Sequence, residues 1–176
     1  MNLVLETERL IMRPLELSDA EDFFAMNNNP NVYIYLRTPI TTITEAKEYI
    51  QKISNEYQKN GIARFAVILK KTNTLIGFSG LRFRENLENN HINFYDLGYR
   101  FAEAYWHKGY ATEAAIAWLD YGFTTLNLSA IHACAVCDNV GSNKVLQKVG
   151  FAFVNQYSVN NSMHNWYIIE NKLKKK

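Results

Sequence analysis

The chain of 176 residues has the length of one domain of ordinary size, and 48% hydrophobic with 20% charged residues is the composition of a folded globular protein. A formal net charge of +2, from 19 basic and 17 acidic residues, lacks the strong basic excess of a typical nucleic-acid binder. No uninterrupted apolar run approaches the roughly 20 residues that a membrane-spanning helix needs.

Residues Leu3 to Leu15 are rich in branched apolar side chains and predict a first strand ending near Pro14. Glu6, Glu8 and Arg9 interrupt any apolar signal-peptide core at this end, so a cytoplasmic location is the default expectation. Ser18 followed by Glu21 has the spacing of a capping box, and Ala20, Phe23 and Phe24 give a short helix one apolar face. The run Asn27-Asn28-Asn29-Pro30 ends it. A second helix is expected from Thr42 or Thr44, with Ala46, Tyr49, Ile50, Ile53 and Tyr57 on one stripe and Gly61 just past its end.

Arg64 to Lys70 and Leu75 to Arg84 read as strands joined by a turn at Thr72-Asn73-Thr74. A polar loop, Glu85 to Asn90, precedes a further strand from Ile92 to Phe101, so residues 64–101 form an antiparallel meander. The clearest helix spans Gly109 to Leu126, where Ala111, Ala114, Ala115, Trp118, Leu119 and Phe123 make one buried stripe. Ile131 to Val136 is then a strand. Val145, Leu146 and Val149 mark a short helix stopped at Gly150, and a hairpin turning at Asn160-Asn161 closes the chain. The order is mixed α/β, read as residues 1–171 in one domain with a disordered basic tail at 172–176.

Both cysteines, Cys134 and Cys137, stand in a C-x-x-C pattern that is open to zinc or thiol chemistry. A zinc site needs about four ligands, no second pair exists, and residues three apart on a strand point to opposite faces. Structural cysteines and no metal are the expectation.

The segment Tyr105-Trp106-His107-Lys108-Gly109-Tyr110-Ala111-Thr112 lies between a strand and the start of the strongest helix. The first N–H groups of a helix lack intrahelical partners and carry partial positive charge, which suits phosphate. Gly109 permits close backbone approach, Ala111 keeps the next exposed position small, and Lys108 offers a charge at the rim. The plainer reading is that Gly109 only eases the turn into the helix. Nucleoside-triphosphate, dinucleotide and G-x-S-x-G fingerprints are absent.

Trp106 to Ala114 resembles the acetyl-CoA pyrophosphate loop of the GNAT acetyltransferase superfamily, whose pattern is Gln or Arg, two variable residues, Gly, one variable residue, then Gly or Ala. Asp96-Leu97-Gly98-Tyr99 resembles the strand leading into that loop. Asn139-Val140-Gly141-Ser142, ending in Lys148-Val149-Gly150-Phe151, resembles the family's next motif. Thr7-Glu8-Arg9-Leu10 through Arg13-Pro14-Leu15, then Asp19-Ala20, resembles the branch that includes ribosomal-protein N-terminal acetyltransferases. Two positions depart from the pattern: Trp106 replaces the Gln or Arg, and Arg100 stands where an aromatic residue is frequent.

The resemblance implies a mixed α+β acyl-CoA N-acyltransferase fold, with a mostly antiparallel twisted sheet flanked by helices on both faces. It implies that acetyl-CoA is the cosubstrate. His107, Lys108, Gly109, Tyr110 and Ala111 would wrap its pyrophosphate, with Thr112 nearby, and Tyr99 and Phe101 would pair through their backbone with the pantetheine arm. It matches Asn139 to a pantetheine contact and Ser142 to a proton donor or relay at the thioester sulfur. Asp96 is the candidate base or amine-positioning carboxylate. Plainer roles are a helix N-cap for Asn139, a first-turn helix serine for Ser142 and an outward strand residue for Asp96. His91 and His164 are alternative bases, or surface histidines. The acceptor is expected to be a primary amine attacking directly in a ternary complex, on a protein N-terminus or on a small molecule such as an amino acid, polyamine or antibiotic. Residues 28–43 and 85–91 would face it. A CoA-binding regulatory module without catalysis is the reading from another class, and homodimerisation is expected by analogy with the fold.

Overall fold

A computed structural model describes residues 3–36 and 39–172. Its eight-stranded sheet runs, in spatial order, β1 (Leu5–Glu6), β2 (Leu10–Pro14), β3 (Arg64–Leu69), β4 (Thr74–Arg84), β5 (Phe94–Phe101), β6 (Ala130–Val136), β8 (Ser162–Glu170) and β7 (Ala152–Val159). The expected first strand is a hairpin instead: β1 (Leu5–Glu6) and β2 (Leu10–Pro14) pair antiparallel around a turn at Thr7. The Thr7 N–H donates to the Leu10 carbonyl at 3.0 Å, and Thr7 Oγ1 accepts from the Leu10 N–H at 3.1 Å. The turn needs neither Gly nor Pro, because a side chain closes it.

A 3₁₀ turn at Leu17–Asp19 leads into α1 (Ala20–Asn27). The capping box sits two residues earlier than expected, between Glu16 and Asp19 rather than Ser18 and Glu21. Asp19 is held in place by Arg13, whose Nη1 and Nη2 reach its two oxygens at 2.8 and 2.7 Å. After α1 a one-turn helix, α2 (Pro30–Tyr33), is capped by Asn29 and has Pro at its first position. Then α3 (Ile43–Asn60) starts at a full capping box between Thr42 and Glu45 and stops at Gly61. Such a cap is worth about 1 kcal/mol.

The meander is β3 (Arg64–Leu69), β4 (Thr74–Arg84) and β5 (Phe94–Phe101), antiparallel throughout. After it, α4 (Tyr110–Thr124) crosses to β6 (Ala130–Val136), which is parallel to β5. Helix α5 (Val140–Lys148) and the hairpin β7 (Ala152–Val159) with β8 (Ser162–Glu170) complete the fold. Of the expected basic tail, Leu173 to Lys176 lie outside the described residues.

Side-chain alternation along β4 and β5 separates two faces. Phe78 packs against Phe23 of α1 and Tyr49 of α3, with ring centroids 5.4 and 6.3 Å away. The opposite face takes α4. Trp118 is fully buried with its ring 4.9 Å from Phe65, and Gly122 lets the helix close onto Leu81 and Ile131. Helices thus flank the sheet on both sides, and one apolar cluster links both faces.

Candidate active site

β5 and β6 are parallel neighbours, yet they pair at a single register position, Asp96 with His132. Beyond it the strands diverge, and the edge of β5 from Gly98 to Phe101 faces the opening. The Ala102 N–H donates to the Ile76 carbonyl of β4 at 2.9 Å. Antiparallel alternation then turns the backbone groups of Tyr99 and Phe101 away from β4 and into the opening. An extended chain can pair with that edge. The Phe101 carbonyl already accepts from the Trp106 indole at 2.7 Å, so the Trp in place of Gln or Arg braces the strand end.

The chain leaves β5 through a 3₁₀ turn at Glu103–Tyr105 and reaches α4 through His107 and Gly109, both with left-handed φ, 60° and 83°. Gly109 is the N-cap, and no side chain caps the helix. The first intrahelical bond runs from the Glu113 N–H to the Gly109 carbonyl at 3.0 Å, so the N–H groups of Tyr110, Ala111 and Thr112 remain as the donors of an uncapped positive helix end. This arrangement fits a pyrophosphate. Lys108 folds back, with Nζ 2.8 Å from the Ala104 carbonyl and near the Tyr105 ring, rather than extending along the rim.

The loop is strapped from behind by residues whose role sequence reasoning missed. Glu113 Oε1 accepts from Thr7 Oγ1 at 2.5 Å and from the Arg9 N–H at 3.0 Å, and Oε2 accepts from Arg9 Nε at 2.6 Å. Arg9 Nη1 also donates to the Lys108 carbonyl at 3.0 Å, and its guanidinium lies 4.5 Å from the Tyr110 ring centroid. Burial opposes the Glu113 charge, but the bonds from Thr7 and Arg9 outweigh it and hold the carboxyl below its usual range. The only sequence signal was the Thr-Glu-Arg-Leu run itself.

On the other side of the opening, Asn139 caps α5 by accepting the Ser142 N–H at 3.0 Å. The Tyr99 hydroxyl donates to the Ser142 carbonyl at 3.0 Å and lies 3.2 Å from the Ser142 hydroxyl. Burial pushes the Tyr99 phenol well above its ordinary value, so it stays protonated. Asn143 anchors this helix end: its Nδ2 reaches the carbonyls of Val136, Cys137 and Asn139, and its Oδ1 accepts from Tyr167 and Asn165.

Asp96 is buried on the face opposite Tyr99. Arg64 Nη2 donates to its Oδ1 at 2.7 Å, and Arg84 Nε stands 3.7 Å from Oδ2. Burial alone would raise its pKa, but Arg64, Arg84 and Arg82 outweigh burial and hold the carboxyl below the usual range. Arg64 reaches Asp96 by crossing over Gly98, where any Cβ would collide with the guanidinium. A carboxylate gripped in this way is a weak proton acceptor, and the arrangement disfavours Asp96 as the base. Neither alternative histidine is a plain surface residue. His164 is buried, and His91 stacks on Trp166 at 5.1 Å beside His132. Cys137 lies just past β6, its Sγ 3.3 Å from Asn165 Oδ1, and neither cysteine is in a disulfide. Among the described residues no cluster of His, Cys, Asp or Glu is arranged to hold a metal.

Residues 9–152 match the family model described as "Acetyltransferase (GNAT) domain". The chain is 36% identical over 148 residues to an uncharacterized N-acetyltransferase p20 of Bacillus licheniformis, covering 84% of this chain and 81% of that one. An acetyltransferase of the GNAT family from Bacillus anthracis superposes with a TM-score of 0.81 at 27% identity, over 97% of this chain and 99% of that chain. The ribosomal-protein-S5-alanine acetyltransferase of Vibrio fischeri shares the fold, with a TM-score of 0.80 at 20% identity over 99% and 100% of the two chains.

Proposed function

Because the chain belongs to the GNAT acetyltransferase family and uses acetyl-CoA, we propose that it acetylates a primary amine directly in a ternary complex, with Ser142 and Tyr99 relaying the proton that the departing thiolate takes up. The observation that carries this reading is the meeting of Tyr99 and Ser142 beside the opening whose far end leads to the uncapped start of α4. Acetyl-CoA supplies an acyl carbon activated as a thioester. The N–H groups of Tyr110, Ala111 and Thr112 would hold its pyrophosphate, together with the His107–Gly109 loop. The backbone of Tyr99 and Phe101 would keep the pantetheine extended, with the Asn139 amide beside it. A backbone N–H of β5 would polarise the thioester carbonyl.

The amine nitrogen attacks that carbonyl, the new C–N bond forms, the C–S bond breaks, and the thiolate takes a proton from Ser142, replenished through Tyr99 or solvent. The amine loses its proton to water or to a group of the acceptor. Asp96 acts in this scheme by fixing Arg64 across Gly98, which shapes β5 at the opening. A protein N-terminus and a small molecule are both proposed sources of the amine. A thiol-release assay over a panel of peptides and small amines tests the reading. Amine-dependent release of CoA is the expected result. Tight acetyl-CoA binding with no release for any amine would indicate a binding module instead.

A further inference from the structure

Arg100 is the departure from the family pattern that the proposed function leaves unused. It lies on β5 between Tyr99 and Phe101, with its side chain on the opposite face from theirs, the face of Gly98 and Asp96. Arg100 as a residue is half-buried, and its guanidinium lies deep against the sheet. It lies 5.0 Å from the Phe78 ring centroid, and its hydrogen bond goes to Asn27 Oδ1 at the end of α1. Asn27 is itself fixed, since its Nδ2 donates to the Phe23 carbonyl at 2.6 Å.

No carboxylate among the described residues pairs with Arg100. Its neighbour on the same strand face is a second guanidinium, that of Arg64, which is already matched to Asp96. Burial and the Arg64 charge lower the Arg100 pKa to about 10, so the cation persists at neutral pH at a cost. A neutral amide, an aromatic face and the partial charge of the α1 C-terminus compensate only in part. An aromatic residue would pack on Phe78 without that cost. The arginine satisfies the buried Asn27 amide, yet it carries a desolvation cost that an aromatic residue would not.

Its surroundings say what it could meet. Asn27 directly precedes residues 28–43, expected to face the acceptor, and Glu103, just past β5, accepts from Asn29 Nδ2 at 2.9 Å and Asn31 Nδ2 at 2.7 Å. β5 thus turns Tyr99 toward the thiol side of the opening and Arg100 toward the other face, beside the end of α1 and the residues that follow it. Resting on the acetyltransferase reading, we infer that Arg100 recognises a carboxylate carried close to the acceptor amine. The favoured substrates are then α-amino carboxylates or N-terminal peptides with an acidic residue beside the amine.

The test uses matched acceptors on the wild-type protein, Arg100→Gln and Arg100→Lys. One arm compares an amino acid with its α-amide, and the other compares peptides with Asp or Asn as second residue. Which arm responds identifies the source of the carboxylate. Arg100→Gln should lower kcat/KM about tenfold or more for the carboxylate member of the responding pair. The uncharged member should change little, and Arg100→Lys should recover part of the loss. Comparing each ratio with wild type removes the intrinsic difference in amine basicity. Equal losses for both members, or none for either, overturn the inference. So does a wild type that binds acetyl-CoA by calorimetry and acetylates only uncharged or cationic amines, and that outcome leaves the acetyltransferase reading standing. A wild type that binds no acetyl-CoA removes both.

Discussion

The Tyr99 hydroxyl sits 3.2 Å from the Ser142 hydroxyl, joining the strand that would hold the pantetheine arm to the helix beyond the β5–β6 opening. Each side chain has a structural reason to be there, since Asn139 caps the turn that carries Ser142 and the body of Tyr99 packs against the core. A relay acts in the transition state rather than in binding. Ser142→Ala should therefore lower kcat about tenfold or more while the KM for acetyl-CoA stays nearly constant. Tyr99→Phe should show a smaller loss of the same kind. An unchanged kcat in Ser142→Ala, with chemistry rate-limiting, would reduce Ser142 to a helix residue.

Asp96→Asn should act on stability more than on the pH profile. The substitution leaves Arg64 buried and without its charge partner, a loss of about 3 kcal/mol. The Asp96 carboxyl is held below its ordinary range in the folded protein, so its contribution is present above the unfolded carboxyl pKa. It is lost as pH falls through the lower folded value. Above the unfolded carboxyl pKa, where Asp96 is already ionised, the shape of kcat/KM against pH should match wild type. A missing acidic limb in Asp96→Asn, with the fold retained, would restore Asp96 as the base.

Much of the fold was legible because local signals agreed with it. Thr42 and Glu45 cap α3, the Asn73 turn has its left-handed φ, and the apolar stripe of α4 buries Ala114, Ala115, Trp118 and Leu119. The break at Thr7 was not legible, because its side chain serves both the turn and Glu113, 106 residues away. The shift of the cap from Ser18 to Glu16 and Asp19 is similar in kind, since Arg13 helps fix Asp19. At the site, the order of motifs placed the loop, Tyr99 and Ser142. The grip of Arg64 on Asp96 depends on strand register across β3, β4 and β5, which no local pattern carries.

Glu113→Gln should weaken acetyl-CoA binding several-fold and leave kcat nearly unchanged, because Glu113 holds Arg9 and Arg9 holds the Lys108 carbonyl. Calorimetry and steady-state kinetics on the same preparation separate the two effects. A loss confined to kcat would contradict a positioning role for the strap.

Replacing Cys134 and Cys137 together by Ala should leave activity close to wild type, and metal analysis should find no stoichiometric zinc. A bound metal that disappears in the double variant would overturn the structural assignment of both thiols.

The central claim is that the uncapped start of α4 binds the pyrophosphate of the cosubstrate. Gly109 has φ 83°, so a branched side chain there strains the turn and alters how the following N–H groups meet an anion. Calorimetry should compare acetyl-CoA, dephospho-CoA and acetyl-pantetheine on wild type and Gly109→Val. The first two ligands should each bind tenfold or more weakly to the variant, about 1.4 kcal/mol, and acetyl-pantetheine, which lacks the pyrophosphate, should bind both proteins alike. A folded Gly109→Val that binds acetyl-CoA as tightly as wild type would contradict the assignment of the loop.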